Sequence, residues 1–313
     1  MLPSKAYDLK MLTESVSATG NRGHGWCFGF PPGITQEQWP LDRLNGFPLK
    51  HAFTLLLPDE YRCHGPEIVA LSFFGIAKNE HHDGGATPSP PIVLALEATE
   101  PPTDQLLRKL WHADRSGHPR THRMLDILDC EYAAILLTQA EFEGPFCHPP
   151  DYDYPPMLYG IPRPRWLEVG TAFSHWEENV GSSREPPFEQ LAIFRDFGQI
   201  PDKTLEFNRA VYWTPRATDP NAGKAPEETY GEGVAKSGYQ DPHYRLDGKY
   251  MTHDWADGHE AMHIGGTMAP SQQIPQGFGP YYVEFEEILG GFNFGAGNAQ
   301  LDFQNMKFDW ACG

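Results

Sequence analysis

The sequence feature that most constrains the fold is a C-terminal block, residues 265–312, in which apolar alternation is interrupted by glycine-rich turns. Within Tyr281–Glu286, apolar Val283 and Phe285 alternate with glutamates, which is the period of a strand with one wet face. A second alternating run, Leu301–Trp310, slips by one position at its middle, which predicts a β-bulge or a tight turn there. The block therefore predicts a hairpin-based β core.

A similar order of turns and strands occurs near the start of the chain. A glycine-proline turn at residues 29–33 is followed by a spacer that contains prolines and by two apolar runs, Phe53–Leu57 and Ile68–Phe74. Because a lone hairpin is marginally stable in water, we expect the blocks 26–77 and 265–312 to share one core. The predicted fold class is mainly β (α+β), with antiparallel sheets, a few short helices and an arrangement of two pseudo-repeated β halves.

Two stretches carry a family resemblance. The C-terminal one reads IGGTMAPSQQIPQGFGPYYVEFEEI, followed by FNFGAGNAQLDF and DWAC, and the N-terminal one contains GFPPGITQEQWPL and PLKHAFTLLLP. Together they resemble the YwqG-like family of bacterial proteins of unknown function. The chain departs from the family pattern at Ala296, where an aspartate is expected. The resemblance implies a role as an immunity protein that sequesters a cognate bacterial toxin.

The region between these blocks predicts further short elements. Ile92–Leu96 and Ala133–Leu137 predict buried strands, because each is a short run of apolar residues. Thr103 predicts the N-cap of a short helix, Asp104–His112, and Arg120–Leu128 predicts a second short helix.

The segment 144–164 is the predicted connection between two halves, since its seven prolines exclude regular helix and central strand. We divide the chain into a polar N-terminal segment (1–25), a first β-rich half (26–143), this proline-rich connection, and a second β-rich half (165–313). The second half predicts strands at Leu191–Phe197 and Leu205–Trp213, followed by a long polar loop over 214–257. A loop of that length in a compact domain is usually functional or mobile.

Composition limits the classes of partner. The net charge is −18, which disfavours nucleic acid and anionic membranes and favours a protein partner with a basic surface, although ordinary solubility explains the same acidity. Five cysteines without a CxxC pair are typical of a reducing compartment. With no apolar leader at the N-terminus and no run of apolar residues long enough to span a membrane, we expect a cytoplasmic protein.

The sharpest chemical motif is His259-Glu260-Ala261-Met262-His263, an HExxH string. On a helix, His259 and His263 bind one zinc ion and Glu260 acts as the general base of a metallopeptidase. A third ligand would come from Glu284, Glu286 or Glu287. Gly258 before the string and the glycines after it argue against a helix, so a chance match is the favoured interpretation. Whether the histidines and aspartates of 241–263 converge on a metal stays open.

The leading functional hypothesis is a non-catalytic binding protein of the cytosol. The chain has no GxSxG elbow, Walker A loop or GxGxxG fingerprint, so we expect no catalysis and no cofactor. Aromatic residues among acids and prolines are the candidate partner-binding residues: Tyr152, Tyr154, Tyr230 and Trp255. The alternative is a zinc-dependent hydrolase that uses His259, Glu260 and His263. A β protein that binds a carbohydrate or other small ligand is a third hypothesis, which no motif singles out.

Overall fold

The computed structural model of the chain describes residues 2–76, 88–150, 163–164, 166–172 and 206–313. Regular structure over these ranges consists mostly of β-strands. The strands are β1 (Tyr7–Met11), β2 (Gly25–Phe28), β3 (Lys50–Leu56), β4 (Ile68–Gly75), β5 (Thr121–Leu125), β6 (Glu131–Thr138), β7 (Asn208–Pro215), β8 (His243–Leu246), β9 (Lys249–Thr252), β10 (His263–Ile264), β11 (Tyr282–Glu286), β12 (Asn298–Asp302) and β13 (Lys307–Ala311). The helices are α1 (Pro90–Glu97), α2 (Gln105–Arg115), α3 (Gln139–Phe142) and α4 (Trp166–Val169). The predicted fold class, mainly β with antiparallel sheets and a few short helices, is confirmed.

Eleven strands of the described chain form one antiparallel sheet in the order β13-β12-β11-β10-β1-β7-β2-β3-β4-β6-β5. On one side of the central pair, β10 to β13 run outward from β1. On the other side, β2, β3, β4, β6 and β5 run outward from β7. The central strands are also exchanged. β1 is the first strand of the chain, yet it pairs with β10 near the C-terminus. β7 comes shortly before β10 in the chain, yet it pairs with β2 near the N-terminus. Each half of the sheet therefore contains one strand contributed by the other.

The sheet curls until its two end strands approach each other. The indole nitrogen of Trp310 on β13 donates a hydrogen bond of 2.9 Å to the carboxylate of Asp126, which directly follows β5. The rings of Phe308 on β13 and Tyr132 on β6 lie 4.1 Å apart. These contacts make the sheet a nearly closed barrel.

Aromatic side chains from both ends of the sequence fill the interior of this barrel. The ring of Phe285 lies 5.2 Å from that of Phe53 and 5.9 Å from that of Phe73. Phe292 packs on the same rings, and all four side chains are buried within one cluster. Burial of one such side chain stabilises the fold by about 1.5–3 kcal/mol. The prediction that the blocks 26–77 and 265–312 share one core is confirmed.

The slip in the last alternating run is a tight turn between β12 and β13. The Asp302 carboxylate accepts hydrogen bonds of 2.9 Å from the backbone N–H groups of Gln304 and Asn305. Met306 then takes a positive φ of 52°, which reverses the chain. Alternation resumes one position out of step because this turn separates two strands.

Two predictions for the middle of the chain are wrong. Ile92–Leu96 lies in helix α1, whose first turn contains two prolines, and not in a strand. A short apolar run does not distinguish a buried strand from a buried helix, whereas proline is well suited to the first turn of a helix. Arg120–Leu128 is not a helix, because β5 pairs along its length with the core strand β6, which was predicted at Ala133–Leu137.

Helix α2 begins one residue later than predicted. Its N-cap is Asp104, whose carboxylate accepts hydrogen bonds from the backbone N–H groups of Leu106 and Leu107. Thr103 therefore lies outside the helix. Both residues are good N-caps, and their local sequence does not decide between them.

The segment 214–257 is not one continuous loop, because β8 and β9 form a separate two-stranded hairpin within it. Several other predictions fall on residues outside the described ranges: Tyr152 and Tyr154, most of the proline-rich connection, and the strand at Leu191–Phe197. None of the helices in the described part of the chain has the length and hydrophobicity needed to cross a lipid bilayer.

Candidate functional site

The HExxH string lies in irregular chain that leads into β10, so its two histidines are not on one face of a helix. The His259 ring donates its Nε2 hydrogen to the carbonyl oxygen of Thr218 at 3.0 Å. The buried His263 ring donates its Nδ1 hydrogen to the carbonyl oxygen of Gly265 at 2.8 Å. The two rings therefore serve separate local contacts.

Glu260 is equally unsuited to act as a general base at that position. Its carboxylate forms a surface ion pair of 2.8 Å with the Lys10 ammonium, and its backbone carbonyl oxygen accepts a hydrogen bond from Arg216. Over the described ranges, no group of three or more histidine, cysteine, aspartate or glutamate side chains is placed to hold a metal ion. This geometry gives the zinc-hydrolase alternative no support.

The charged cluster beneath the string joins the central strands of the sheet. The buried Arg216 guanidinium contacts the Asp8 carboxylate at 2.5 Å and the Asp219 carboxylate at 2.9 Å. Burial alone would raise the pKa of Asp219, but hydrogen bonds from Arg216 and Thr267 hold it below its ordinary value. Every carboxylate oxygen of Asp219 has a partner, so this cluster is structural.

The paired glycines after the string are required by this packing. Gly265 and Gly266 have φ values of +60° and +85°, as the predicted glycine turn implies. A Cβ atom on Gly265 would collide with the Tyr61 side chain, and one on Gly266 would collide with Asp219 and Ala6. The turn places residues 267–274 along one wall of a cleft.

This cleft, which we call the acidic cleft, has a volume of about 390 Å³. Its lining includes three acids, Glu227, Glu228 and Asp241, together with the hairpin residue Tyr250 and the buried Tyr239. No lysine or arginine is among the residues that line it in the described chain. The acidic cleft therefore concentrates negative charge in a concave site.

The carboxylates of the acidic cleft are oriented by hydrogen bonds from neutral groups. Glu228 accepts one from the backbone N–H of Ile274 at 2.5 Å. Asp241 accepts one from the Thr229 hydroxyl at 3.0 Å and one from the backbone N–H of His243 at 2.8 Å. Within the described ranges neither of these carboxylates forms an ion pair, so their charge is available to a cationic ligand.

The hairpin of β8 and β9 stands beside the acidic cleft and is exposed over almost its entire length. Its turn residues Asp247 and Gly248 have φ values of +51° and +76°, as a two-residue type I′ hairpin turn requires. The strands expose large apolar side chains, which are Tyr244, Leu246, Tyr250 and Met251. These side chains form an exposed apolar surface beside the acidic cleft.

Two of the predicted partner-binding residues lie next to these features. Tyr230 is 86% exposed and follows Thr229, at the rim of the acidic cleft. Half-buried Trp255 stacks on His253 at 5.6 Å, and His253 in turn packs 4.5 Å from Tyr244 on β8. The hairpin is not among the strands predicted above, although Asp247-Gly248 between HYRL and KYMT is a strong hairpin signal.

Comparison of the chain with protein-family models, with curated proteins and with solved structures found no match in any of the three. The resemblance to the YwqG-like family therefore stays a prediction that rests on the quoted motifs.

Proposed function

We propose that this chain is a non-catalytic cytoplasmic protein that binds a partner protein with a basic surface. The observation that carries the proposal is the acidic cleft beside an exposed, aromatic hairpin. We call this combined surface the hairpin face; it comprises the acidic cleft, β8, β9, Tyr230 and Trp255. Its charge is complementary to lysine and arginine side chains, and its apolar residues are of the types that anchor protein interfaces.

Charge and apolar contact contribute to different steps of such binding. The net charge of −18 attracts a basic partner over a distance, but exposed charges are screened beyond about 8 Å at physiological salt. Charge therefore accelerates the encounter, and dissociation depends on the apolar contacts and on the charges buried in the interface. The aromatic side chains Tyr230, Tyr244 and Tyr250 are the candidate anchors.

The resemblance to the YwqG-like family supports a more specific proposal, in which the partner is a bacterial toxin and this chain is its immunity protein. All five cysteines are free, which fits a reducing compartment. A binder that sequesters a toxin needs tight and fast association without turnover, and the hairpin face offers both charge and apolar area for it.

The test is binding to the purified product of the neighbouring gene, measured at low and high salt. The variant Glu227→Gln/Glu228→Gln/Asp241→Asn neutralises the acidic cleft at nearly constant volume. A matched control, Glu97→Gln/Glu100→Gln/Asp129→Asn, removes the same charge from exposed positions outside the hairpin face. We expect the cleft variant to slow association at low salt and to weaken binding at least tenfold more than the control does.

A second variant, Tyr250→Ser, tests the apolar contribution. We expect it to speed dissociation at both salt concentrations, because it removes an exposed ring without changing charge. Equal effects of the cleft and control variants would contradict the placement of the site. Hydrolytic activity abolished by Glu260→Ala, with no binding of the neighbouring gene product, would overturn the proposed function.

A further inference from the structure

A second concave site lies between the C-terminal end of α2 and the start of β5 and shares no lining residue with the acidic cleft. It has a volume of about 280 Å³. Arg43, Arg115 and Arg123 line it together with Asp114 and Thr121. We call it the arginine pocket. Its charge is opposite in sign to that of the chain as a whole.

The arginine pocket holds three guanidinium groups around one carboxylate. Asp114 is nearly buried and lies 3.0 Å from Arg43, 3.2 Å from Arg123 and 3.8 Å from Arg115. Glu131 balances part of this charge through a contact of 2.6 Å with the other terminal nitrogen of Arg123. With Glu131 counted, three guanidinium groups face two carboxylates. A third acid, Asp42, is buried nearby, and burial raises its pKa to about 7. Positive charge therefore remains in excess, which favours an anionic ligand.

The Arg43 side chain is placed to provide donors to such a ligand. Its Nε and one terminal nitrogen bind the two oxygens of Asp114, at 3.0 and 3.1 Å. Half of the side chain is exposed, on the open side of the pocket. Because a guanidinium group carries five N–H donors, Arg43 keeps donors for a ligand while it stays fixed by Asp114.

Thr121 adds a neutral donor. Thr121 is one of the residues that line the pocket, and its hydroxyl oxygen is shielded from solvent and has no hydrogen-bond partner among the described residues. A shielded hydroxyl without a partner is costly, and a ligand oxygen would satisfy it. The arrangement thus contains a polar group for which the described residues supply no partner.

The end of α2 does not oppose an anion as strongly as a bare helix C-terminus would. The carbonyl oxygens of His112 and Ala113 both accept hydrogen bonds from the backbone N–H of Ser116, at 2.9 and 3.2 Å. The Ser116 hydroxyl donates a further one to His112. These carbonyl groups are capped, which reduces the negative potential at the helix end.

We propose that the arginine pocket binds phosphate, either as the free ion or as the phosphate group of a small metabolite. Arginine forks match the geometry of phosphate oxygens, and a phosphate offers more acceptor oxygens to the guanidinium groups than a single carboxylate does. Arg43 and Arg123 neutralise the charge, and Thr121 donates to one oxygen. The site is separate from the hairpin face and does not depend on the proposed partner.

The test is calorimetric titration with inorganic phosphate and with ribose 5-phosphate, at constant ionic strength, with acetate as a carboxylate comparison. We expect both phosphates to bind and acetate to bind at least tenfold more weakly. Tighter binding of ribose 5-phosphate identifies a phosphate ester as the source, and tighter binding of inorganic phosphate identifies the free ion. Absence of saturable phosphate binding would overturn the proposal.

Three variants locate the binding site. Arg43→Met leaves Asp114 in contact with Arg115 and Arg123, and we expect it to raise the phosphate Kd at least tenfold. Thr121→Val removes only the hydroxyl without a partner, so we expect an unchanged or higher Tm together with a roughly tenfold higher Kd. The control is Arg108→Met, which removes the same charge from the exposed side of α2, where the guanidinium binds the backbone carbonyls of Pro102 and Thr103.

A purely structural role for Thr121 predicts a lower Tm and an unchanged Kd, which would contradict the proposal. An equal rise in Kd for Arg43→Met and Arg108→Met would show that phosphate responds to net charge alone, and would also contradict it.

Discussion

Replacing Arg216 with methionine tests whether the buried charged cluster holds the central strands together. The Arg216 side chain is only 2% exposed and joins Asp8 on β1 to Asp219 after β7, while its third contact reaches the backbone of Glu260 before β10. The substitution keeps most of the side-chain volume and removes the only charge that compensates these two carboxylates within the cluster. Removing one member of a buried ion pair typically costs about 3–5 kcal/mol, so we expect a loss of that size in the free energy of unfolding at neutral pH.

The pH dependence of this loss follows from Asp219. Because the pKa of Asp219 lies below its ordinary value in the folded protein, its ionised form stabilises the fold above the ordinary aspartate pKa of about 3.9. That stabilisation is lost as the pH falls through the lowered pKa. Without Arg216, the Asp219 pKa rises, so most of the stabilisation is already absent in the variant. We therefore expect the difference between the two proteins to be largest near neutral pH and to shrink below about pH 4.

The assay is urea unfolding followed by tryptophan fluorescence over a series of pH values. Arg216→Lys is the matched variant, since it keeps the charge but loses the fork, and we expect an intermediate loss. Lys10→Met removes a cation from the exposed pair with Glu260, and we expect little change in stability. A loss below about 1 kcal/mol for Arg216→Met, or a loss that is the same at all pH values, would refute the assigned role of the cluster.

Two further predictions concern single positions. Ala296 is exposed and has a φ of +63°, a left-handed conformation that asparagine tolerates better than alanine and that valine disfavours. In urea unfolding we therefore expect Ala296→Asn to stabilise the protein by about 0.5–1 kcal/mol and Ala296→Val to destabilise it. A more stable valine variant than asparagine variant would contradict this assignment of the backbone conformation. The His259 ring donates its hydrogen bond to the Thr218 carbonyl and is therefore not placed as a zinc ligand. In elemental analysis of protein purified without chelator, we expect substoichiometric zinc and the same zinc content in His259→Ala. Stoichiometric zinc that the variant loses would restore the hydrolase alternative.

The strands that sequence analysis located are those whose own residues alternate or form an apolar run. Tyr281–Glu286 alternates because one face packs on Phe53 and Phe73 in the barrel interior, and its prediction as a strand is confirmed. The predicted wet face is wrong at Glu284, which is fully buried because its carboxylate accepts hydrogen bonds from the Ala269 backbone N–H and the Asn298 amide. Ala133–Leu137 is apolar throughout because β6 is buried on both faces. Local pattern does not specify which strands pair, so the exchange of β1 and β7 was not predictable from it.

The candidate sites were harder to predict because their residues are distant in sequence. The acidic cleft combines Glu227 and Asp241 with residues 268–274, which only the turn at Gly265-Gly266 brings together. The arginine pocket combines Arg43 with Arg115 and Arg123 across the first half. In contrast, the HExxH string is contiguous and easily found, but its chemistry needs a helix that the flanking glycines prevent.

The exchange of the central strands also affects how the chain folds as it is synthesised. β1 emerges from the ribosome early, but its partners on β7 and β10 lie about 200 and 250 residues later. At translation rates of about 5–20 residues per second, β1 and the free edge of β2 wait roughly 10–40 seconds for β7. During that time the first half exposes unpaired strand edges and an incomplete apolar surface, both of which favour aggregation. We therefore expect the nascent first half to gain from chaperones that shield it until its partner strand has been synthesised.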